Sequence, residues 1–417
     1  MVNCRYSKIW WCATSVLDAI PSLNRGHEKK TAMSPLLKTL IMIFWGVFAL
    51  SARAQMPQPP EVAAQAYLLI DVTSNQVLAA KDQDMAVEPA SLTKLMTAYL
   101  VFDALKSRKI DLKQTLPVSE RAWKMPGSRM FIDPKMRVPV EDLIKGMVVQ
   151  SGNDATVALA EGVAGSVERF VQLMNDQARV LGMKNSTYRN PEGLPESGHS
   201  TTARDLGVLA ARLLRDFPEF VPYYAIKKYR YEGTPAANDS NRNLLLFRDP
   251  SVDGLKAGQT NSSGYGLVAT AKRDFANIGS RRLLSVVLGA DSENARANES
   301  QKLLNWGYSA FDAVKLFEAG QPILSPAVWK GKTPVLKLGS FQPLVVSVPA
   351  GTAAQIKTQV ARPDPLVAPF SKGQSVGSLK VLRGDQPLFE VPLVALESVE
   401  QAGVLGRAWD ALRLWIK

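Results

Sequence analysis

The stretch EPASLTKLMTAYL, Glu88 to Leu100, places Ser91 three residues before Lys94. Residues three apart share one face of a helix, so the Lys94 ammonium can reach the Ser91 hydroxyl. A serine is a weak nucleophile until a base takes its proton. A lysine serves as that base only when desolvation or a nearby cation lowers its pKa. Pro89 suits the start of a helix, and the apolar run from Leu95 to Phe102 continues it. Alone, Ser-x-x-Lys is a common tetrapeptide, equally readable as two unrelated polar residues on an ordinary helix.

The rest of the chain narrows the choice. Its 417 residues, 46% hydrophobic and 21% charged, describe a globular protein long enough for two domains. Both cysteines, Cys4 and Cys12, fall at the very start, so the remainder carries no disulfide framework and no Cys-based metal site. His27 and His199 are the only histidines, which excludes a multi-histidine metal centre. No metal and no cofactor are expected. A Ser-His-Asp triad would have to use His199, within GLPESGHSTT.

MSPLLK (Met33–Lys38), the apolar TLIMIFWGVFAL (Thr39–Leu50) and SARA read as a secretory signal, residues 33–54, cleaved after Ala54. The apolar run is short for a membrane span. Residues 1–32 fit no signal pattern and read as a start-site extension, with Met33 the true start. Residues 1–54 hold seven basic and two acidic residues, which leaves +7 of the full chain's +12 on the mature protein. There is no long basic run or aromatic–basic interleaving, so no nucleic-acid partner is expected. An exported, moderately basic protein meets anionic lipid or wall polymers instead.

After the Pro-rich QMPQPPEV, AYLLID and QVLAA read as a hairpin. Helical runs follow in PVEDLIKGMVVQ, in GSVERFVQLMNDQARVLGM closed by Gly182, in TARDLGVLAARLLRDFPEF, and in ESQKLLNWGYSAFDAV. YGLVATAKR and RRLLSVVLGA read as strands. From about residue 318, short β-type runs such as LVVSVPAG, QSVGSLKVLRG and LFEVPLVAL indicate a small separate β domain, residues 318–398. In the last segment, VLGRAWDALRLWIK, helical spacing gathers Val404, Leu405, Trp409, Leu412 and Trp415 on one side. Arg407, Asp410 and Arg413 lie opposite, with Leu414 the exception. A Trp-bearing apolar face backed by cations suits a helix lying in a membrane surface, residues 402–417. The other readings are a docked terminal helix or a partner-binding one.

Three short motifs occur in order: SLTK at 91–94, SGN at 151–153 and KAG at 256–258. Each is weak alone; in this order and context they form the trio of a serine acyl-transfer site without histidine. PASLTKLMTAY, SGNDATVALAE, NPEGLPESGHSTTARDL, NRNLLL, DGLKAGQTNSSGYGLVATA, LSVVLGA and ESQKLLNWG together resemble the low-molecular-mass penicillin-binding proteins, the serine-type D-alanyl-D-alanine carboxypeptidases.

The resemblance implies an α+β fold. A penicillin-binding/β-lactamase-like domain, an antiparallel sheet flanked by helices over residues 62–317, precedes the β domain and the amphipathic helix. It implies that Ser91 attacks the D-Ala-D-Ala peptide bond while Lys94 takes its proton. Ser151 then relays a proton to the leaving D-alanine, Asn153 positions the substrate amide, and Lys256 offers charge to the terminal carboxylate. The backbone N–H groups of Ser91 and Gln259, flanking Gly258, would form the oxyanion hole. Arg242 and Arg296 match positions that support carboxylate recognition. The implied partners are peptidoglycan stem peptides and β-lactam antibiotics, met at the periplasmic face of the inner membrane.

Two departures stand out. The family pattern K-T-G-H is Lys256-Ala257-Gly258-Gln259 here, so a hydroxyl and a titratable imidazole are missing. Competing readings are a D,D-endopeptidase, a β-lactamase, or a catalytically weak penicillin-binding structural protein. SGN in place of SDN and the appended β domain disfavour the β-lactamase.

Overall fold

The computed structural model describes residues 56–416. The expected start-site extension and signal segment lie outside the described residues. β1 (Ala66–Asp71) and β2 (Gln76–Lys81) form the expected hairpin. β3 (Thr115–Pro117) and β4 (Arg137–Pro139) make a small ribbon. β5 (Val252–Thr260), β6 (Gly264–Phe275) and β7 (Gly279–Ala290) complete a five-stranded antiparallel sheet in the order β2-β1-β7-β6-β5. Successive side chains alternate between the faces of a strand. Leu68, Ile70, Leu284 and Val286 therefore join a helical core on one side. Tyr67, Leu69, Leu283 and Val287 meet Leu303, Leu304 and Tyr308 of helix Glu293–Ala310 on the other.

Helix Lys94–Lys106 is apolar on nearly every side, and ten of its thirteen residues are buried, which makes it the axis of the helical half. Helices Asn153–Ala164, Val167–Leu181 and Ala203–Asp216 surround it. Ser166 and Thr202 cap the last two by accepting from Arg169 N and Asp205 N. Gly182, at φ 79°, closes the first of those two.

Three local readings shift. Ala90–Thr93 is a 3-10 turn, and the α-helix proper starts at Lys94. PVEDLIKGMVVQ is α-helical only over Val140–Lys145, then widens into a π-turn over Gly146–Gln150. The helix ESQKLLNWGYSA stops at Ala310; Phe311–Phe317 alternates and runs on as strand β8.

β8 pairs with β12 (Leu344–Pro349). Between them in sequence lie β9 (Pro322–Leu324), β10 (Val328–Trp329) and β11 (Leu338–Gly339). β13 (Ile356–Ala361), β14 (Leu366–Val367), β15 (Ser375–Arg383) and β16 (Gln386–Ala395) follow. Five of these strands form a second sheet in the order β13-β15-β16-β11-β9. Val346, Val348, Leu379, Val381 and Leu393 give it a core of its own.

Where the first sheet meets the β8–β12 pair, Arg281 of β7 is buried. Its Nε donates to Asp71 Oδ2 at 2.8 Å and its Nη1 to the Phe311 carbonyl at 2.7 Å. Ser347 of β12 donates to the same Asp71 oxygen at 2.5 Å. One buried ion pair thus gathers β1, β7, β8 and β12.

The terminal helix, Val404–Ile416, attaches by its polar face. Asp410 accepts from Lys330 N at 2.6 Å, and the Arg413 guanidinium lies 5.4 Å from the centre of the Trp329 ring. Leu414, the exception in the sequence pattern, is half-buried, while Leu405, Trp409 and Trp415 stand exposed. Among the described residues no helix is long and apolar enough to cross a membrane.

Removing one partner of a buried ion pair leaves an uncompensated charge and costs about 3–5 kcal/mol. Arg281→Met is expected to lower the unfolding free energy by about that amount, read by urea denaturation. An unchanged midpoint would show that the joint is not loaded.

Candidate active site

Ser91 sits in the 3-10 turn, where Ala90 takes a positive φ of 50°. Local strain of this kind persists where packing over-determines the backbone. Here Gly193 presses from outside: a Cβ on it would lie 1.8 Å from the Ala90 carbonyl oxygen. Asn190 fixes that loop, its Oδ1 accepting from Gly193 N at 2.7 Å and Leu194 N at 3.1 Å.

The loop delivers the Glu192 carbonyl to Lys94. Lys94 Nζ donates to that oxygen at 2.6 Å, to Asn153 Oδ1 at 2.7 Å and to Ser91 Oγ at 3.2 Å. The side chain is 1% exposed, and burial pushes its pKa down to about 7, against the pull of Glu192 and Asp154. Burial is the main cause, as the desolvation argument from the sequence requires.

Ser151 follows the π-turn in a left-handed conformation, φ 62°, which aims its hydroxyl back over the cleft rather than along a helix. Lys256 Nζ donates to Ser151 Oγ at 2.9 Å and to the Ala257 carbonyl at 3.0 Å. Lys256 is also buried, with its pKa pushed well down by desolvation and then by Lys94, Arg296 and Arg242. Alternation along β5 turns Lys256 and Gly258 toward the helical half. A Cβ on Gly258 would lie 3.1 Å from Leu92 N and 3.2 Å from Ser91 N, so glycine lets the strand pass close against the turn. Ala257 and Gln259 line the cleft beside it.

Arg242 lines the same cleft and is exposed. Arg296 is buried and committed to the framework: it donates to the Gly258 carbonyl at 3.0 Å, to the Arg242 carbonyl at 3.3 Å and to Glu293 at 3.2 Å. Its guanidinium braces β5 as much as it faces the cleft. All nine residues singled out from the sequence therefore converge on one site.

His199 does not join them. Its Nε2 bonds Thr93 Oγ1 at 3.1 Å, not Ser91, so a histidine triad has no geometry here. Two contributors were not singled out from the sequence. Glu192 acts first through a carbonyl, which no side-chain pattern marks. Asp154 accepts from Met130 N and Phe131 N at 2.8 Å each and from Ile132 N at 3.3 Å, pinning the loop beside Ser128.

Residues 53–292 match the D-alanyl-D-alanine carboxypeptidase family, and residues 311–401 match the C-terminal domain of penicillin-binding protein 5. The chain belongs to the D-alanyl-D-alanine carboxypeptidase family. It is 40% identical to the D-alanyl-D-alanine carboxypeptidase DacC of Escherichia coli K12, over 91% of this chain and 96% of that protein. Penicillin-binding protein 5 from Haemophilus influenzae superposes with a TM-score of 0.76 at 36% identity, over 83% of this chain and all of that one. A D-alanyl-D-alanine endopeptidase of Pseudomonas aeruginosa is more distant, 29% identical over 67% of the chain. The protein is thus a serine-type D-Ala-D-Ala carboxypeptidase with a penicillin-binding fold, a hydrolase of cell-wall peptides.

The buried His199 makes this site's surroundings acid-sensitive. Burial pushes its pKa down from 6.5 to about 4, so the unfolded chain binds its proton first. Its contribution to stability is complete above pH 6.5 and is lost as pH falls toward 4, about 3 kcal/mol in all. The stability gap between wild type and His199→Gln is expected to narrow over that interval in denaturation at stepped pH. A gap constant with pH would contradict a neutral buried imidazole.

Proposed function

We propose that Ser91 is the acylated nucleophile and Lys94 its base. The observation that carries this reading is the buried Lys94 amine placed 3.2 Å from Ser91 Oγ with its pKa near 7. A neutral amine accepts the hydroxyl proton as Ser91 bonds to the carbonyl carbon of the penultimate D-alanine. Collapse of the tetrahedral adduct breaks the C–N bond, and Ser151, in contact with Lys256, hands a proton to the departing amine. Asn153 holds Lys94 by its Oδ1 and the Pro126 carbonyl by its Nδ2, so its position is fixed before substrate arrives. Lys256, Arg242 and Arg296 supply the positive field for the terminal carboxylate, and Gly258–Gln259 the adjacent backbone. Water then releases the shortened stem.

Ala257 subtracts one contact. A hydroxyl at this position would give the carboxylate a charge-assisted hydrogen bond, of about 1.5–3 kcal/mol. Release of D-alanine from a pentapeptide ending in D-Ala-D-Ala is the test. The full chain is expected to release one D-alanine and Ser91→Ala none, while Ala257→Thr raises kcat/KM roughly tenfold or more. Acylation by benzylpenicillin with no D-alanine release would instead favour a penicillin-binding structural protein. An Ala257→Thr rate equal to wild type would sink the account of Ala257.

We further infer that the protein is exported by its 33–54 segment to the periplasm. There helix Val404–Ile416 rests on the inner membrane, and the β domain lifts the cleft above it. The spent polar face and the outward Trp409 and Trp415 support this. Replacing both tryptophans by alanine in the full chain is expected to weaken binding to anionic phospholipid vesicles roughly tenfold or more in sedimentation. Undiminished binding would count against the helix as anchor.

A further inference from the structure

Residues 187–200 form a strap across the start of the Lys94 helix. Its ends are closed by backbone pairing: Thr187 N donates to Ser200 O at 2.9 Å, and Ser200 N to Thr187 O at 3.0 Å. Beside them Thr201 pairs with Val87, just upstream of Ser91, at 2.9 Å in both directions. Three side chains of the SLTK turn and its helix reach the strap. Lys94 Nζ donates to Glu192 O at 2.6 Å, Thr97 Oγ1 donates to Pro191 O at 2.6 Å, and Thr93 Oγ1 bonds His199 Nε2 at 3.1 Å. The first two hold one arm of the strap. Among the described residues, the third alone ties the other arm to that helix by a hydrogen bond.

The strap is a thin cover. Pro195 to Gly198 are exposed, and two open depressions border it, about 750 Å³ at Glu192–Pro195 and about 500 Å³ at Pro195–Ser200. Its seating therefore governs how far water approaches the Lys94 amine. His199 is costly where it stands. It is 3% exposed, meets the Tyr188 ring edge-on with centroids 5.9 Å apart, and its Nδ1 is buried with no partner. A phenyl ring would fill much of the same space without leaving a polar atom unmatched. What the imidazole adds is the bond to Thr93. Thr93 is itself fully buried, and its hydroxyl has no other partner among the described residues. It ends the turn that begins at the strained Ala90 and directly precedes Lys94.

We propose that His199 is a positioning residue for the nucleophile: through Thr93 Oγ1 it tethers the strap to the SLTK turn and so keeps the Glu192 carbonyl seated on the Lys94 amine. The inference rests on the reading of Lys94 as the base of Ser91 and adds the residue that maintains its surroundings. The charged groups facing Lys94 are Glu192 on the strap, Asp154 on helix Asn153–Ala164 and Lys256 on β5. Those facing His199 are Glu196, Arg189 and Glu88. The test leaves all of them in place.

The full chain is assayed for D-alanine release from a pentapeptide ending in D-Ala-D-Ala across a range of pH. Thr93→Val and His199→Phe are each expected to lower kcat about tenfold with KM little changed. Each also moves the acid limb of the kcat/KM profile up by about one pH unit, because a loosened strap lets water return to Lys94 and favours its charged form. Thr93→Ser and His199→Gln, which can keep the bond, restore most of the rate and the limb. The double variant Thr93→Val/His199→Phe is no slower than either single one, since both remove the same bond. Circular dichroism gives the folded fraction of each, and if His199→Phe does not fold, Thr93→Val decides. A folded Thr93→Val with wild-type kcat and limb overturns the tether. So does a loss of rate with the limb unmoved, which marks a general loosening of the fold. Failure of the parent reading looks different: Ser91→Ala would still release D-alanine.

Discussion

An amine kept out of water is the constraint on which this protein turns. Lys94 reaches a pKa near neutrality only because the helical half encloses it, and enclosure is expensive for a group that is charged in water. Three acceptors offset that cost: the Glu192 carbonyl, Asn153 Oδ1 and Ser91 Oγ. Each arrives from a different segment, so the site exists only when the helix, the SGN turn and the 190–194 loop are assembled together. The apolar axis helix is what keeps water from Lys94.

The sheet contributes the second amine by simple alternation. Lys256 points into the helical half because Gly254 and Gly258 share its face, and Gly258 keeps the strand close to Ser91. Strain is placed where direction matters. Ala90 and Ser151 adopt left-handed backbone at the two hydroxyl-bearing motifs, and each is held by neighbours packed against it.

Much of this was legible in the sequence, and the reasons are specific. The hairpin, the capped helices and the β-domain strands follow period and punctuation, both local properties. Chain order and residue type sufficed to single out Ser91, Lys94, Ser151, Asn153 and Lys256, which the fold brings into contact around one cleft. The π-turn before Ser151 was not legible, since it arises from tertiary packing on an otherwise helical run. Nor was the part played by Glu192, because a carbonyl acceptor has no residue signature. The dual engagement of Arg296 was hidden for the same reason, because both of its backbone acceptors are distant in sequence.

The Arg281–Asp71 pair has a consequence for how such chains are built. Its partners come from both folds: Asp71 and Arg281 from the first sheet, the Phe311 carbonyl and Ser347 from the strands beyond it. Each fold has a main hydrophobic core of its own, and the joint between them combines this ion pair with apolar packing of Ile278 against Ala313 and Val345. A catalytic half cut away at Ala310 would carry a buried charge pair stripped of three of its hydrogen bonds. Recombination between relatives would therefore exchange the β domain safely only when the incoming segment brings a hydroxyl and a carbonyl to the same two places. The boundary that looks modular in the strand order is, at this joint, inherited whole.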